Sequence, residues 1–242
     1  AASPDAQVRT GTRVRGLERR GAGWRVSVHG TAGEEHLDAD AVIVAVPAAQ
    51  AGPLLAGVPG TGQATAALAE IPHAGSVIVT LAFPRTALDA LRPLGHSGYR
   101  VPAVDGRAMK VVTFSTMKWP HLAGEVDIVR CQGGGSGAED LLGRDDADLV
   151  ALAAAELAEV TGVRGGPLDS RVSRWERAVP QYTVGHLERV ARIRASVAGQ
   201  RGLAVCGAAY DGVGVGQCVA SALKAAEEVL GELRTGASAG SA

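Results

Sequence analysis

The stretch that most constrains this chain lies near its end. Residues 203–207, Leu-Ala-Val-Cys-Gly, are a short continuous apolar run, and a glycine-rich loop follows: Gly207-Ala208-Ala209-Tyr210-Asp211-Gly212-Val213-Gly214-Val215-Gly216. A helical pattern then runs over residues 217–233. An apolar run of that length, without polar alternation, reads as a strand buried on both faces, as in a parallel sheet. The glycines let the main chain take positive φ and let a ligand approach the backbone closely. The first amides of a helix lack internal partners and favour negative charge. Strand, loop and helix together predict an α/β unit with an anion-favouring helix start.

The same stretch leaves its ligand open. Gly212, Gly214 and Gly216 alternate, so no GxGxxG fingerprint can be read there. A phosphate, a reduced flavin with charge gathered on its pyrimidine edge, and a plain connecting turn are the three readings.

A second buried-type strand is predicted over residues 41–46, Ala-Val-Ile-Val-Ala-Val, bounded by Asp40 and Pro47. Pro47 ends it and starts a short helix through Leu55. Ahead of it, residues 12–18 alternate with Val14 and Leu17 as apolar members. Trp24, Val26 and Val28 share one face of the next strand, and residues 34–37 suit a third. Residues 62–70 read as a helix. Residues 77–83, 109–115 and 126–131 read as strands between Gly- and Pro-rich turns, so the middle of the chain is predicted to be a mainly antiparallel sheet. Residues 145–160 form a helix capped by Asp145 or Asp146, with Leu149, Leu152, Ala153, Leu157 and Val160 as its stripe and Gly162 beyond its end. Residues 170–176 read as a strand interrupted at Pro180. Residues 185–198 read as a helix with Leu187, Val190 and Ile193 on one face. Residues 235–242 read as a flexible tail.

Composition narrows the function classes. The chain has 242 residues and a formal net charge of −1, so it carries no basic field for nucleic acid. Cys131, Cys206 and Cys218 form no CxxC pair, which argues against a zinc site or a disulfide framework and fits a reducing cytoplasm. No apolar run reaches the ~20 residues of a membrane span.

Four stretches, in order, resemble the oxygen-dependent porphyrinogen oxidases of haem biosynthesis, within the flavin amine oxidase superfamily. They are Ala39-Asp40-Ala41-Val42-Ile43-Val44-Ala45-Val46-Pro47; Lys118-Trp119-Pro120-His121; Arg174-Trp175-Glu176-Arg177-Ala178-Val179-Pro180-Gln181-Tyr182-Thr183-Val184-Gly185-His186; and the loop from Gly207 to Cys218. The third is the most specific. The resemblance implies a mixed α/β (α+β) fold. In it, the C-terminal portion of a split, Rossmann-like FAD-binding domain takes residues 1–55 and 181–234, and a mainly antiparallel-sheet substrate domain takes residues 56–180.

By the same resemblance, FAD is the cofactor. The substrate is a porphyrinogen, coproporphyrinogen III or protoporphyrinogen IX, and oxygen is the electron acceptor. Hydride leaves a meso carbon, and imine–enamine tautomerisation exposes successive positions. The Ala- and Arg-rich composition is similar to that of actinobacterial members, which favours coproporphyrinogen III. Val14 is implied to touch the adenosine side of FAD through its backbone. Trp175 is implied to lie against the cofactor, and Gly207, Val213, Gly214 and Val215 to meet the flavin through main-chain atoms. Arg100, Lys118 and Arg130 are candidates for the substrate propionates. No acid or base is assigned: His186 reads as a polar residue at a helix start, and His73, His96 and His121 as loop or surface residues. A cytoplasmic protein is implied, with peripheral membrane contact through an upstream segment and hand-over to a ferrochelatase.

Two departures stand against the family pattern. The segment that grips the FAD pyrophosphate is not in this sequence, and Ala1 is not Met, so the chain is expected to start partway through a protein. After Cys131 the sequence continues Gln132-Gly133-Gly134-Gly135, where the family has a serine and a glycine–arginine pair, so a basic contact is expected to be missing. Two other readings remain: another flavin amine oxidase or desaturase relative, and a non-catalytic binding module.

Overall fold

The computed structural model describes residues 6–135 and 139–239. The strands are β1 (Arg13–Arg20), β2 (Gly23–Gly30), β3 (Gly33–Ala39), β4 (Val42–Val44), β5 (His73–Pro84), β6 (Gly98–Arg100), β7 (Met109–Phe114), β8 (Val126–Gly134), β9 (Asp169–Pro180) and β10 (Leu203–Val205). The helices are α1 (Ala48–Ala56), α2 (Gly62–Ala69), α3 (Ser115–Lys118), α4 (Asp146–Thr161), α5 (His186–Ala198) and α6 (Val215–Ala239). The chain divides into two compact units, one made of residues 1–72 and 180–242 and the other of residues 73–179. The first division therefore falls after Pro72, whereas the sequence suggested Leu55. The helix α2 packs on α1 and α5 and stays with the first unit.

In the first unit, β1, β2 and β3 form an antiparallel meander. Val14 and Leu17 are three residues apart, which strict alternation would put on opposite faces. A bulge between Val14 and Gly16 restores them to one face, opposite Val28 and Val26 respectively. Beside the meander, β4 and β10 pair in parallel, Val42 to Leu203 through Val44 to Val205. Leu17, Trp24, Leu55, Leu68, Ile193 and Tyr210 meet in the main core of this unit.

The two buried-type strands fare differently. All three residues of β10 are buried, as expected. In β4 only Val44 is buried, while Ile43 is 38% exposed, so burial on both faces does not hold across residues 41–46. Among the described residues β4 has one strand neighbour, and a two-stranded sheet shields less than a wide one.

On α5, Val190, Ile193 and Val197 face the core, but Leu187 is exposed and His186 is buried instead. At 3.6 residues per turn, His186 and not Leu187 lies one turn before Val190. The helix α6 continues to Ala239, where a tail from residue 235 was expected; residues 240–242 lie outside the described residues.

The second unit is one sheet in the order β6-β7-β8-β5-β9 with α4 on one face. The pairs β6–β7, β7–β8 and β5–β8 are antiparallel. Val77, Val79, Leu81, Phe83, Val129 and Leu157 belong to its core. Asp145 is the N-cap residue of α4 by position, but its side chain makes no capping hydrogen bond, and Asp146 pairs with Arg174 instead. Beyond Trp175 the strand β9 runs on as far as Pro180, which ends it.

Candidate functional site

The loop between β10 and α6 is held at three places. Tyr210, midway along it, buries its ring in the first unit's core. Burial in apolar surroundings raises its phenol pKa. The Tyr182 hydroxyl bridges the loop's two shoulders, accepting the Gly212 amide at 2.8 Å and donating to the Ala208 carbonyl at 2.6 Å. The Gly207 amide donates to Ser221 Oγ on α6 at 3.3 Å. Gly207 and Gly212 have φ of 117° and 138°, which L side chains rarely adopt, so these two positions depend on glycine.

Tyr182 is itself supported. Its ring stacks on His186 with centroids 3.8 Å apart and planes 14° from parallel. Neither ring nitrogen of the buried His186 reaches a partner with hydrogen-bond geometry. Burial, then the neighbouring Arg189 charge, lowers the imidazole pKa, and these outweigh the opposing pull of the Ala209 backbone. The histidine at the start of α5 thus packs as a flat plate beside the loop, in surroundings that disfavour its charged form.

Beyond Gly212 the loop turns outward. Val213 is 55% exposed and Val215 is 83% exposed, so the chain enters α6 with apolar side chains and main chain at the surface. No acidic residue lies in the first turn of α6. Asp211 is committed to Arg194 at 2.5 Å, and that hydrogen bond is the main reason its pKa is lowered. A Cβ added at Gly207 or Gly216 would meet nothing within 4 Å, so open space adjoins the backbone there. The arrangement offers amide hydrogens, apolar flanks and no competing carboxylate.

The residues singled out in the sequence fall into separate groups. Gly207, Val213, Gly214 and Val215 share this loop and helix start. Val14 is in the same unit on β1, partly exposed and opposite Val28. Trp175, Arg100 and Arg130 are in the other unit, on the sheet face turned away from α4. Arg100 pairs with Val111, which pairs with Gln132, and Arg130 lies two residues before Gln132 on β8. Lys118 leaves the sheet on α3, where its ammonium sits 4.7 Å from the Trp119 ring centroid. At Gly133, just past Gln132, an added Cβ would meet the Ala108 carbonyl at 2.9 Å and Leu141 at 3.0 Å, so the β8 backbone is closely packed there.

Sequence reasoning missed the Tyr182 clamp. Its signal was faint: a tyrosine four residues before a histidine, just past a strand end.

A glycine-rich connection from a parallel strand into a long helix, joined in one chain to an antiparallel-sheet unit, makes this a mixed α/β protein. The chain matches the family described as flavin containing amine oxidoreductase over residues 1–230 and belongs to it. It is similar to the coproporphyrinogen III oxidase of Mycobacterium tuberculosis (strain ATCC 25618 / H37Rv), with 39% identity over 193 residues, 79% of this chain and 40% of the relative. It is also similar to that of Bacillus subtilis (strain 168), with 28% identity over 229 residues, 93% of this chain and 46% of the relative. Among solved structures it resembles one from Exiguobacterium sp. 255-15, provisionally named a protoporphyrinogen oxidase. The TM-score there is 0.74 at 28% identity, over 92% of this chain and 47% of that one. Reduced UDP-galactopyranose mutase shares the fold alone, with a TM-score of 0.61 at 12% identity over 82% and 41% of the two chains. The chain thus spans less than half the length of the curated relatives it matches.

Membership implies a flavin. The loop suits one: a flat ring with a polar, electron-rich edge needs amide donors at the edge and apolar contact on its faces. Among the described residues no helix is long and apolar enough to cross a membrane.

Proposed function

We propose that the protein oxidises a porphyrinogen in haem biosynthesis, with FAD as cofactor and oxygen as acceptor. The observation that carries this reading is the loop at residues 207–216, held by Tyr182 from the most family-specific stretch, in a chain 39% identical to a coproporphyrinogen III oxidase. A bound flavin supplies the redox chemistry by accepting hydride from the macrocycle. The unit of residues 1–72 and 180–242 is the flavin-binding part, and that of residues 73–179 is the substrate part.

The roles of the chain's own groups follow from their chemistry. Amides around Val213, Gly214 and Val215 stabilise negative charge on the ring's edge, by about 0.3–1 kcal/mol for a helix terminus at the surface. Gly207 permits close approach of the ring. Val14 contributes backbone contact on the adenosine side, and Trp175 a flat apolar surface to the cofactor. Arg100, Lys118 and Arg130 attract propionates. No side chain is assigned as acid or base, so the protein contributes placement and electrostatics. The setting is the cytoplasm, with peripheral membrane contact and delivery of product to a ferrochelatase.

The test is turnover by the full-length protein under air. Coproporphyrinogen III should yield fluorescent coproporphyrin III with oxygen consumption. Bleaching of the flavin by an amine, with no response to porphyrinogens, would place the protein among other members of the family.

A further inference from the structure

The strand β10 and the residue after it show their two faces to different partners. Leu203 and Val205 belong to the main core of the first unit, while Ala204 and Cys206 pack with Ala225 and Val229 of α6. Cys206 therefore turns its thiol toward that helix, where it is buried. On α6, Cys218 lies seven residues before Ala225, two turns along the same face. The Gly207 amide donates to Ser221 Oγ at 3.3 Å, so the residue after Cys206 sits level with the turn that follows Cys218. The two thiols thus occupy neighbouring places on the seam between β10 and α6. Cys218 is partly exposed, and its Sγ donates to the Gly212 carbonyl at 3.7 Å. Cys131 is in the core of the second unit.

This placement suits thiol–disulfide chemistry. Burial, and then the charge of the neighbouring Cys218, push the Cys206 thiol pKa up, so each sulfur lies within electrostatic reach of the other. A disulfide needs its α-carbons about 4.4–6.8 Å apart. Gly212, Gly214 and Gly216 precede Cys218, and a Cβ added at Gly216 would meet nothing within 4 Å. The backbone that enters α6 therefore has both the freedom and the room to adjust. In a reducing compartment such a bond is transient and redox-sensing, not a structural framework.

We infer that Cys206 and Cys218 close to a reversible disulfide when a hydroperoxide reaches the loop, and that this bond ties the first turn of α6 to the end of β10. Cys218 is the more exposed sulfur and reacts first. It takes one peroxide oxygen as the O–O bond breaks, leaving a sulfenic acid and one water. The Cys206 sulfur then attacks the Cys218 sulfur, the S–O bond breaks, and the hydroxyl leaves as a second water. Two thiols lose two hydrogens and two electrons, and one peroxide becomes two waters. A dithiol reductant returns both thiols by exchange. To make the bond, Cys218 must leave the Gly212 carbonyl, so closure is felt by the glycine-rich loop. The couple rests on the packing of β10 against α6. Only one source of hydroperoxide, oxygen that has taken two electrons and two protons from a flavin, rests on the proposed function.

The experiment adds hydrogen peroxide to this chain without flavin or substrate, alkylates the remaining thiols in denaturant, and weighs the tryptic peptides. No Lys or Arg separates the two cysteines, so the peptide from Gly202 to Lys224 carries both. After peroxide it should bear no alkyl group and weigh two hydrogens less than the free dithiol, and dithiothreitol should restore both alkylation sites. Cys206→Ser should leave Cys218 as a sulfenic acid that dimedone traps. Cys218→Ser should leave Cys206 fully alkylated. The Cys218 amide, which donates to the Gly214 carbonyl at 3.0 Å, should exchange about threefold more slowly in the oxidised chain. Two alkyl groups on the peptide, under conditions that oxidise Cys218 in the Cys206→Ser variant, overturn the inference. So does Cys218 carried to sulfinic acid beside a free Cys206, or a link from either to Cys131. A disulfide that leaves exchange at Cys218 unchanged overturns its hold on α6. Disulfide formation in this chain, without turnover of coproporphyrinogen by the full-length protein, would sink the enzymatic reading and leave the couple standing.

Discussion

The hydroxyl of Tyr182 receives the amide hydrogen of Gly212 at 2.8 Å, across 30 residues of sequence. The same oxygen donates to the Ala208 carbonyl, so one phenol fixes both shoulders of the loop that leads into α6. The last residues of the family-specific stretch thereby set the shape of the glycine-rich loop.

Replacing Tyr182 by Phe keeps the ring and its stacking partner but removes both hydrogen bonds. The cost is about 1–2 kcal/mol, since the hydroxyl is partly exposed and water can replace it. Hydrogen exchange should accelerate at the Gly212 amide and leave the amides of β10 unaffected. An unchanged Gly212 exchange rate would show that the clamp does not hold the loop.

His186 gives the first unit a pH dependence with a definite sign. Its folded pKa lies below the ordinary 6.5 because burial and Arg189 disfavour the imidazolium. The unfolded chain therefore binds the proton more readily. The stability from neutral His186 is fully present above the unfolded pKa and is lost as pH falls toward the folded value. The thermal midpoint should decline between about pH 7 and pH 5.5, above the range where most carboxylates titrate. His186→Phe, which keeps a ring against Tyr182, should flatten that decline.

Asp127, near the start of β8, is fully buried, accepting from Thr116 at 2.8 Å and paired with Arg92. Arg92→Ala strands a buried carboxylate and should destabilise this unit by about 3 kcal/mol; Asp127→Ala leaves a partly exposed arginine that water can solvate and should cost less. A double variant costing less than the sum of the two, by chemical denaturation, would establish the coupling.

Trp24 is buried, donates from Nε1 to the Arg201 carbonyl at 3.2 Å, and carries the Arg19 guanidinium over its ring at 4.8 Å. Trp24→Ala should cost about 3–5 kcal/mol. Trp24→Phe should recover most of the packing but not the hydrogen bond. Equal loss in both variants would make the Nε1 contact, and not ring volume, the dominant contribution.

Much of the fold is local and was legible for that reason. Alternation at Trp24, Val26 and Val28, the apolar run before Gly207 and the buried stripe of Leu149, Ala153 and Leu157 on α4 each follow from a period that neighbouring residues impose on one another, whereas Val160, read into the same stripe, is 44% exposed. Asp145 holds the N-cap position without a side-chain capping bond, and Asp146, the other candidate, is drawn into an ion pair by Arg174, distant in sequence. The Leu187 reading failed by one position, because helix phase is set by what packs against Val190 and Ile193 and not by hydrophobicity alone.

The site divides in the same way. The glycines of the loop and the family-specific stretch are properties of the chain as written, since backbone freedom and residue order need no folding to be seen. The Tyr182 bridge and the buried His186 behind it are not. Each depends on strand register or loop closure between segments far apart in sequence, and such contacts are chosen by the packing of the whole unit. Residue order was enough to reach the family; which side chains come together around the loop depended on folding, because those contacts join segments far apart in the chain.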